Sequence, residues 1–83
     1  MKLTVKYFAS IRETLGVSSE VVDTSAPTLA ALRDELIALG GAHSESLARG
    51  RAVRMALNQV MSDESAALLD GAEVALFPPV TGG

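Results

Sequence analysis

The sequence predicts an α+β fold, in which one main helix covers one face of a mixed β-sheet. Residues 2–8 and 73–77 alternate apolar and polar side chains, as strands with one buried face do. Between them, leucines recur at spacings of three, four and three from Leu29 to Leu39, which is the apolar stripe of an amphipathic helix. A sheet covered by one helix is a stable two-layer arrangement, and 83 residues are enough for one such domain.

The chain is expected to open with a strand and a short helix. The first strand should turn Phe8 outward and three other side chains toward the core, namely Leu3, Val5 and Tyr7. Ser10 precedes Glu13 by three residues, which predicts a capping box and a helix that ends near Leu15. Gly16 then supplies the left-handed cap.

A second strand and the main helix come next. Residues 19–23 are predicted to pair antiparallel to the first strand. Thr28 is the expected N-cap of the main helix, and the glycines at 40–41 end it. Residues 42–50 remain ambiguous, since Ser44 is able to cap a short helical turn there.

The rest of the sheet is predicted from alternation and turn residues. Residues 53–57 form a third strand, residues 58–59 a tight turn and residues 60–61 a short return strand. Residues 70–71, Asp-Gly, are a stronger turn signal before the last strand, residues 73–77. A two-residue turn pairs Leu57 with Val60 facing inward, and Ala56 with Met61 facing outward.

The same alternation predicts an apolar cluster on the sheet face opposite the main helix. We call it the outer-face cluster, and its members are Phe8, Ala56, Met61, Ala75 and Phe77. An apolar outer face is typical of a surface that binds a partner protein. The alternatives are scattered exposed apolar residues, or a loop that covers them.

The last residues, Pro-Pro-Val-Thr-Gly-Gly, are unsuited to a packed strand. Two prolines end a central ladder and stiffen the exit, which predicts a domain of residues 1–78 and an extended, flexible tail of residues 79–83. Such a tail reaches roughly 16 Å. Gly82 and Gly83 have no Cβ, so the backbone can enter a narrow channel and present a terminal carboxylate. A frayed end that happens to finish in glycines is the alternative.

Composition excludes several classes of function. The chain has no cysteine, and it contains no Gly-rich phosphate loop, no HExxH and no cluster of metal ligands. With a net charge of −3 and three aromatic residues, it does not resemble a nucleic-acid-binding protein. Neither an apolar leader nor a run of about 18 apolar residues is present, so we expect no membrane association and a cytoplasmic location.

Three segments, VKYFASIRE, ALNQ and ALFPPVTGG, resemble the small, sulfur-carrier subunit of molybdopterin synthase. This MoaD-type family is part of the ubiquitin-like ThiS/MoaD superfamily, and the resemblance spans the whole chain. It implies a β-grasp (ubiquitin-like) fold with the first and last strands as central neighbours. One departure is Leu76, where the family often has an aromatic residue. Because Leu76 faces inward, the change should affect core packing more than function.

The resemblance implies a role in molybdenum cofactor biosynthesis. An adenylating, E1-like enzyme would use ATP to activate Gly83, and a persulfide sulfur donor would convert the adenylate to a thiocarboxylate. The large subunit of molybdopterin synthase would then receive the tail and pass the sulfur to a cyclic pyranopterin precursor. The chain would therefore be no enzyme on its own and bind no cofactor itself. The implied site residues are Gly82 and Gly83 for the chemistry and, for partner binding, the C-terminal residues Pro78, Pro79, Val80 and Thr81. Strand alternation adds Phe8, Met61 and Phe77 to the partner-binding residues.

Three other functions stay open at this point. They are a sulfur carrier for thiamine thiazole synthesis, a ubiquitin-like modifier joined to lysines through Gly83, and a passive interaction domain. His43 is expected to be a solvated loop residue. Arg12 either docks a partner or pairs with a carboxylate. The cluster of Arg49, Arg51 and Arg54 forms either a solvated face or a contact for an acidic partner.

Overall fold

The computed structural model describes residues 1–79, which form a five-stranded mixed sheet and three helices. The strands are β1 (Lys2–Tyr7), β2 (Ser19–Asp23), β3 (Arg54–Leu57), β4 (Val60–Met61) and β5 (Glu73–Phe77). The helices are α1 (Ala9–Leu15), α2 (Leu29–Ala38) and α3 (Gly41–Leu47). The strand order is β2-β1-β5-β3-β4, and only the central pair, β1 with β5, is parallel. The predicted α+β class and the central pairing are confirmed.

The core lies between the sheet and the helices. The predicted inward side chains of β1 and β5 are at most 1% exposed, and they are Leu3, Val5, Tyr7, Val74 and Leu76. Leu29, Leu32 and Leu36 of α2 pack into the same core. Strand alternation therefore identified the buried face of both central strands, because successive side chains point to opposite faces of a sheet.

Helix α2 begins and ends as predicted, but its last leucine is exposed. The amide of Ala31 donates to the Thr28 hydroxyl at 3.2 Å, which satisfies one of the free N–H groups of the first turn. Leu39 follows the last helical residue and is 66% exposed, so its predicted place in the buried stripe is wrong. Leu39 keeps right-handed helical angles, and the chain leaves the helical path at Gly40, whose φ is 74°, so the predicted stop at the glycines is confirmed.

Helix α1 has no capping box. It begins at Ala9, so Ser10 lies inside its first turn, and the residue at the N-cap position, Phe8, makes no side-chain hydrogen bond to the helix. Ala9 itself has a φ of 52°, which reverses the chain directly from β1 into the helix. The prediction of Gly16 as the left-handed C-cap is confirmed by its φ of 77° and its hydrogen bond to the carbonyl of Arg12.

The ambiguous stretch after α2 contains a helix, α3, in which Ser44 is an internal residue rather than a cap. A buried arginine, Arg33 of α2, binds the chain that follows α3. Its guanidinium donates to the carbonyls of Leu47, Ala48 and Arg51 at 2.9–3.0 Å. Three backbone acceptors thus balance the desolvation of a charged group that is only 4% exposed.

The β3–β4 hairpin has the predicted two-residue turn. Asn58 and Gln59 have φ values of 50° and 69°, the positive angles that a tight hairpin turn needs. The predicted pairs, Leu57 with Val60 and Ala56 with Met61, are present. Val60 is nevertheless 64% exposed, so its inward placement is wrong: it lies on a two-residue strand at the edge of the sheet.

None of the helices in residues 1–79 has the length and apolar character needed to cross a membrane.

Candidate functional site

The outer-face cluster exists as a continuous surface. All five of its members line one groove of about 620 Å³ on the sheet. The ladder explains this, because Ala75 of β5 pairs with Ala56 of β3, which pairs in turn with Met61 of β4. Phe8 and Met61 are 43% and 59% exposed. An apolar surface this open, made by side chains from four separate segments, is suited to contact with another protein.

Phe8 joins the groove through backbone hydrogen bonding. Its amide donates to the carbonyl of Leu76 at 3.1 Å, which extends the β1–β5 pairing one residue past the end of β1. The positive φ of Ala9 then turns the chain away into α1. Phe8 is therefore held at the end of the sheet where Phe77 also lies.

A charged pair closes one side of the groove. The ammonium of Lys6 lies 3.1 Å from a carboxylate oxygen of Glu73, and both residues line the groove with Gln59. The backbone amide of Glu73 donates to the side-chain oxygen of Asn58 at 2.9 Å. The hairpin turn is thereby fastened to β5, which keeps Met61 beside Ala56.

The chain leaves the domain between two concave surfaces. Pro78 lines the groove of the outer-face cluster. Together with Pro79, it also lines a smaller cleft of about 310 Å³, which residues of α1 and α3 complete together with Arg51. Four predicted site residues, Val80, Thr81, Gly82 and Gly83, lie outside the described residues. The boundary between domain and tail at residue 78, and the binding role of the cluster, stay predictions.

His43 is not a solvated loop residue, and that prediction is wrong. It lies in α3, where its Nε2 atom is 2.8 Å from a carboxylate oxygen of Glu20 in β2. The same oxygen accepts a hydrogen bond of 2.6 Å from the Tyr7 hydroxyl. The Tyr7 and His43 rings pack edge to face at 6.3 Å. Since Tyr7 faces the core, this network lies on the helical side of the sheet, opposite the groove.

The network shifts two pKa values. Hydrogen bonds from His43 and Tyr7 lower the pKa of Glu20 below its ordinary value of 4.5. Burial, together with the hydrogen bond to Glu20, raises the pKa of Tyr7 above its ordinary value of 10.0. The Tyr7 hydroxyl is thus a stable hydrogen-bond donor, and the network fastens α3 to β1 and β2 rather than supplying a reactive group.

We expect Glu20→Gln to lower the free energy of unfolding at neutral pH. Because the folded pKa of Glu20 lies below 4.5, its charge stabilises the fold fully above that pH and loses the effect as pH falls through the folded pKa. The difference between variant and parent should therefore shrink in acid. Urea unfolding at a series of pH values from about 7 to about 3 measures it. A difference that stays constant with pH would contradict a stabilising role for the charge of Glu20. Glu13→Gln, at an exposed position, is the matched control.

The three clustered arginines have separate environments. Arg49 donates to Asp34 at 2.9 Å and also pairs with Glu64, so part of the cluster serves internal ion pairs. Arg51 lines the smaller cleft beside Pro78 and Pro79, and Arg54 begins β3. Arg12 is exposed on α1 and forms no salt bridge within the described part of the chain. Arg33, which lies in the middle of the leucine stripe, was not identified from the sequence.

Within residues 1–79, no three His, Asp or Glu side chains come close enough together to hold a metal ion. The chain leaves the described domain at Pro78, which borders both the apolar groove and the smaller cleft.

Comparison with known proteins adds a family and a fold. The ThiS family matches residues 5–83. The chain is 38% identical over 81 residues to the molybdopterin synthase sulfur carrier subunit of Escherichia coli, covering 98% of this chain and 99% of that protein. It is 35% identical over 85 residues to the protein of the same name from Chlamydomonas reinhardtii, covering 100% of both chains.

Two solved structures show the same fold over the full length. The complex of subunits 1 and 2 of the molybdopterin-converting factor from Helicobacter pylori contains a chain with 28% identity and a TM-score of 0.70, covering 100% of both chains. SAMP1 from Haloferax volcanii has 27% identity and a TM-score of 0.79, also covering 100% of both chains. The predicted ubiquitin-like β-grasp fold is confirmed.

Proposed function

Because the chain belongs to the ThiS family, we propose that it is the sulfur-carrier subunit of molybdopterin synthase in molybdenum cofactor biosynthesis. The observation that carries the proposal is the similarity to sulfur carrier subunits, which reaches 38% identity over 98% of the chain. A similarity spread over the whole length includes both the folded domain and the residues after β5. The proposal therefore concerns the domain as a docking unit and the tail as the carrier of sulfur.

The carrier atom in this proposal is the carboxyl carbon of Gly83. A free carboxylate is a poor electrophile, so an adenylating partner first joins it to the AMP unit of ATP, and pyrophosphate leaves. The outer sulfur of a persulfide donor then attacks the acyl carbon, AMP leaves, and an acyl disulfide forms. A second thiol attacks the donor's own sulfur, the S–S bond breaks, and the thiocarboxylate is released while the donor and the second thiol become a disulfide. Dividing one difficult substitution into two easier ones is the usual advantage of a covalent intermediate. ATP belongs to the partner, since the sequence has no phosphate-binding loop.

The outer-face cluster supports the second half of the proposal, which is docking on the large subunit of molybdopterin synthase. The similar chain from Helicobacter pylori was solved as a complex of subunits 1 and 2. A docking surface needs buried aromatic or aliphatic anchors at its centre, and Phe8, Met61 and Phe77 are such side chains. Pro78 borders the same groove, so docking there would bring the tail to the large subunit in a defined direction.

The remaining tail residues have a steric role in this proposal. Val80 and Thr81 extend the tail from the prolines, and Gly82 places a residue without a side chain next to the reacting carboxylate. A backbone without Cβ atoms passes through a channel that would exclude larger residues. The absence of side chains would let the end of the tail enter the active site of the activating enzyme and that of the large subunit.

A second function is favoured by one observation. SAMP1 from Haloferax volcanii is named small archaeal modifier protein 1, and a second solved structure of it matches the chain at 26% identity and a TM-score of 0.76. A modifier would share the adenylation step but would end in an isopeptide bond to lysine side chains. Conjugates of higher mass that disappear when Gly83 is removed would reveal it in cell extracts.

The test is the intact mass of the chain after coexpression with the activating enzyme and sulfur donor of the same organism. We expect a mass gain equal to the replacement of one oxygen by one sulfur, located in the C-terminal peptide. A chain coexpressed with an inactive activating enzyme is the control. An unchanged mass, in cells where the activating enzyme is present and releases pyrophosphate with this chain, would contradict the proposal.

A further inference from the structure

Two basic residues border the outer-face cluster, and they differ in their partners. Lys6 is paired with Glu73 across 3.1 Å, so its charge is compensated within the chain. Arg54 forms no salt bridge and no side-chain hydrogen bond with any of residues 1–79. Of these two basic residues beside the apolar groove, Arg54 is therefore the one whose charge is left without a partner among the described residues.

The position of Arg54 follows from the β-ladder. Arg54 is the partner of Phe77 in the register of β3 and β5. Because Met55 and Leu76, the next pair, are 2% and 0% exposed in the core, Arg54 and Phe77 both project from the outer face. Arg54 is therefore an exposed cation beside the last strand residue before the two prolines.

Two acidic residues line the same surface as Arg54, but neither Asp63 nor Glu64 forms an ion pair with it in the described part of the chain. Asp63 and Glu64 share a shallow concave surface with Arg54 and Met61. Glu64 binds Arg33 at 3.2 Å and also pairs with Arg49, and no ion pair joins Asp63 to Arg54 within residues 1–79. The charge of Arg54 thus faces outward from a chain whose net charge is −3.

We propose that Arg54 recognises a carboxylate on the large subunit, at the edge of the surface that covers the outer-face cluster; this inference rests on the proposed function. The planar guanidinium binds a carboxylate through two parallel hydrogen bonds, which sets orientation as well as position. An apolar groove holds a partner but specifies its rotation poorly. A charge pair at its edge fixes the rotation and accelerates association, because complementary charge steers the encounter of two proteins.

Binding kinetics with the purified large subunit of the same organism test the inference. The variants are Arg54→Glu, Arg54→Gln and Arg54→Lys, measured from low to high ionic strength. We expect association to slow about tenfold or more with Glu and about threefold with Gln at low salt, and the differences to fade as salt screens the charges. Arg54→Lys should keep the association rate and dissociate faster, because a point charge lacks the two-bond geometry.

Lys2→Glu is the matched control. Lys2 belongs to the same face of β1 but precedes Phe8 by six residues, roughly 20 Å along the strand and about two screening lengths away at 0.1 M salt. It carries the same change in charge, so at 0.1 M salt, where the two variants are compared, we expect it to alter association by less than about twofold. Equal rates for Arg54→Glu and Lys2→Glu would overturn the inference. If those two rates were equal but Phe77→Ala still lost binding, the proposed function would stand without the role of Arg54. A parent chain that did not bind the large subunit would overturn both the proposed function and the role of Arg54.

Discussion

Removing Gly83, or adding one residue after it, is expected to abolish sulfur transfer without changing the thermal midpoint of unfolding. The reacting carbon must lie at a set distance from the docked domain, and one residue moves it by up to about 3.6 Å. A misplacement of about 1 Å can already reduce an enzymatic rate a hundredfold. The core consists of residues between Leu3 and Leu76, so neither change removes a packed side chain.

Two assays separate the steps of this first prediction. Pyrophosphate exchange with the activating enzyme measures adenylation, and molybdopterin formation with the large subunit measures sulfur transfer. Ser65→Ala, at an exposed loop position, is the control and should match the parent in both assays. A chain shortened at Gly83 that still restored molybdopterin synthesis in a deficient strain would refute the carrier mechanism.

Phe77→Ala is expected to weaken binding to the large subunit by about 2 kcal/mol or more, which is roughly a thirtyfold loss of affinity. Phe77 pairs with Arg54 and borders the exit of the chain, so its ring lies where the groove meets the tail. Removing the ring leaves a hollow in the docking surface, while Val74 and Leu76 of the same strand continue to hold the core.

Calorimetry with the purified large subunit measures this second prediction, together with Phe8→Ala and Met61→Ala. Val21→Ala is a matched control, because Val21 is 73% exposed on β2 and pairs with Thr4, away from the groove. It should bind as tightly as the parent. If all three cluster variants also bound like the parent, the outer face would not be the docking surface.

The sequence alone predicted much of the fold, because several of its signals are local. Alternation identified the buried faces of β1 and β5, and the hydroxyl of Thr28 capped α2 as expected. Each of these features depends on residues within one turn or one strand. The outer-face cluster also followed from alternation, since the side chains opposite a buried face must share the other face. Its apolar character predicted a partner surface, and the resemblance named the large subunit as that partner and sulfur transfer as the role of the glycine tail.

The errors arose where a residue's environment depends on distant parts of the chain. His43 finds Glu20 across 23 positions in the sequence, and Arg33 finds backbone carbonyls 14 to 18 positions away. Ser10 had the spacing of a cap, but the hydrogen bond of Phe8 to Leu76 and the reversal at Ala9 start α1 two residues too early for it.

The sequence by itself therefore determined which faces of the strands and of the main helix are apolar, and that the chain after β5 cannot continue a sheet. Only the tertiary structure decided which polar groups meet, because that depends on strand order and helix placement rather than on local spacing. It buried Arg33 against carbonyl groups and paired Lys6 with Glu73. It placed Arg54 beside Phe77 on the outer face, since adjacent strands bring together residues that lie 23 positions apart in the sequence.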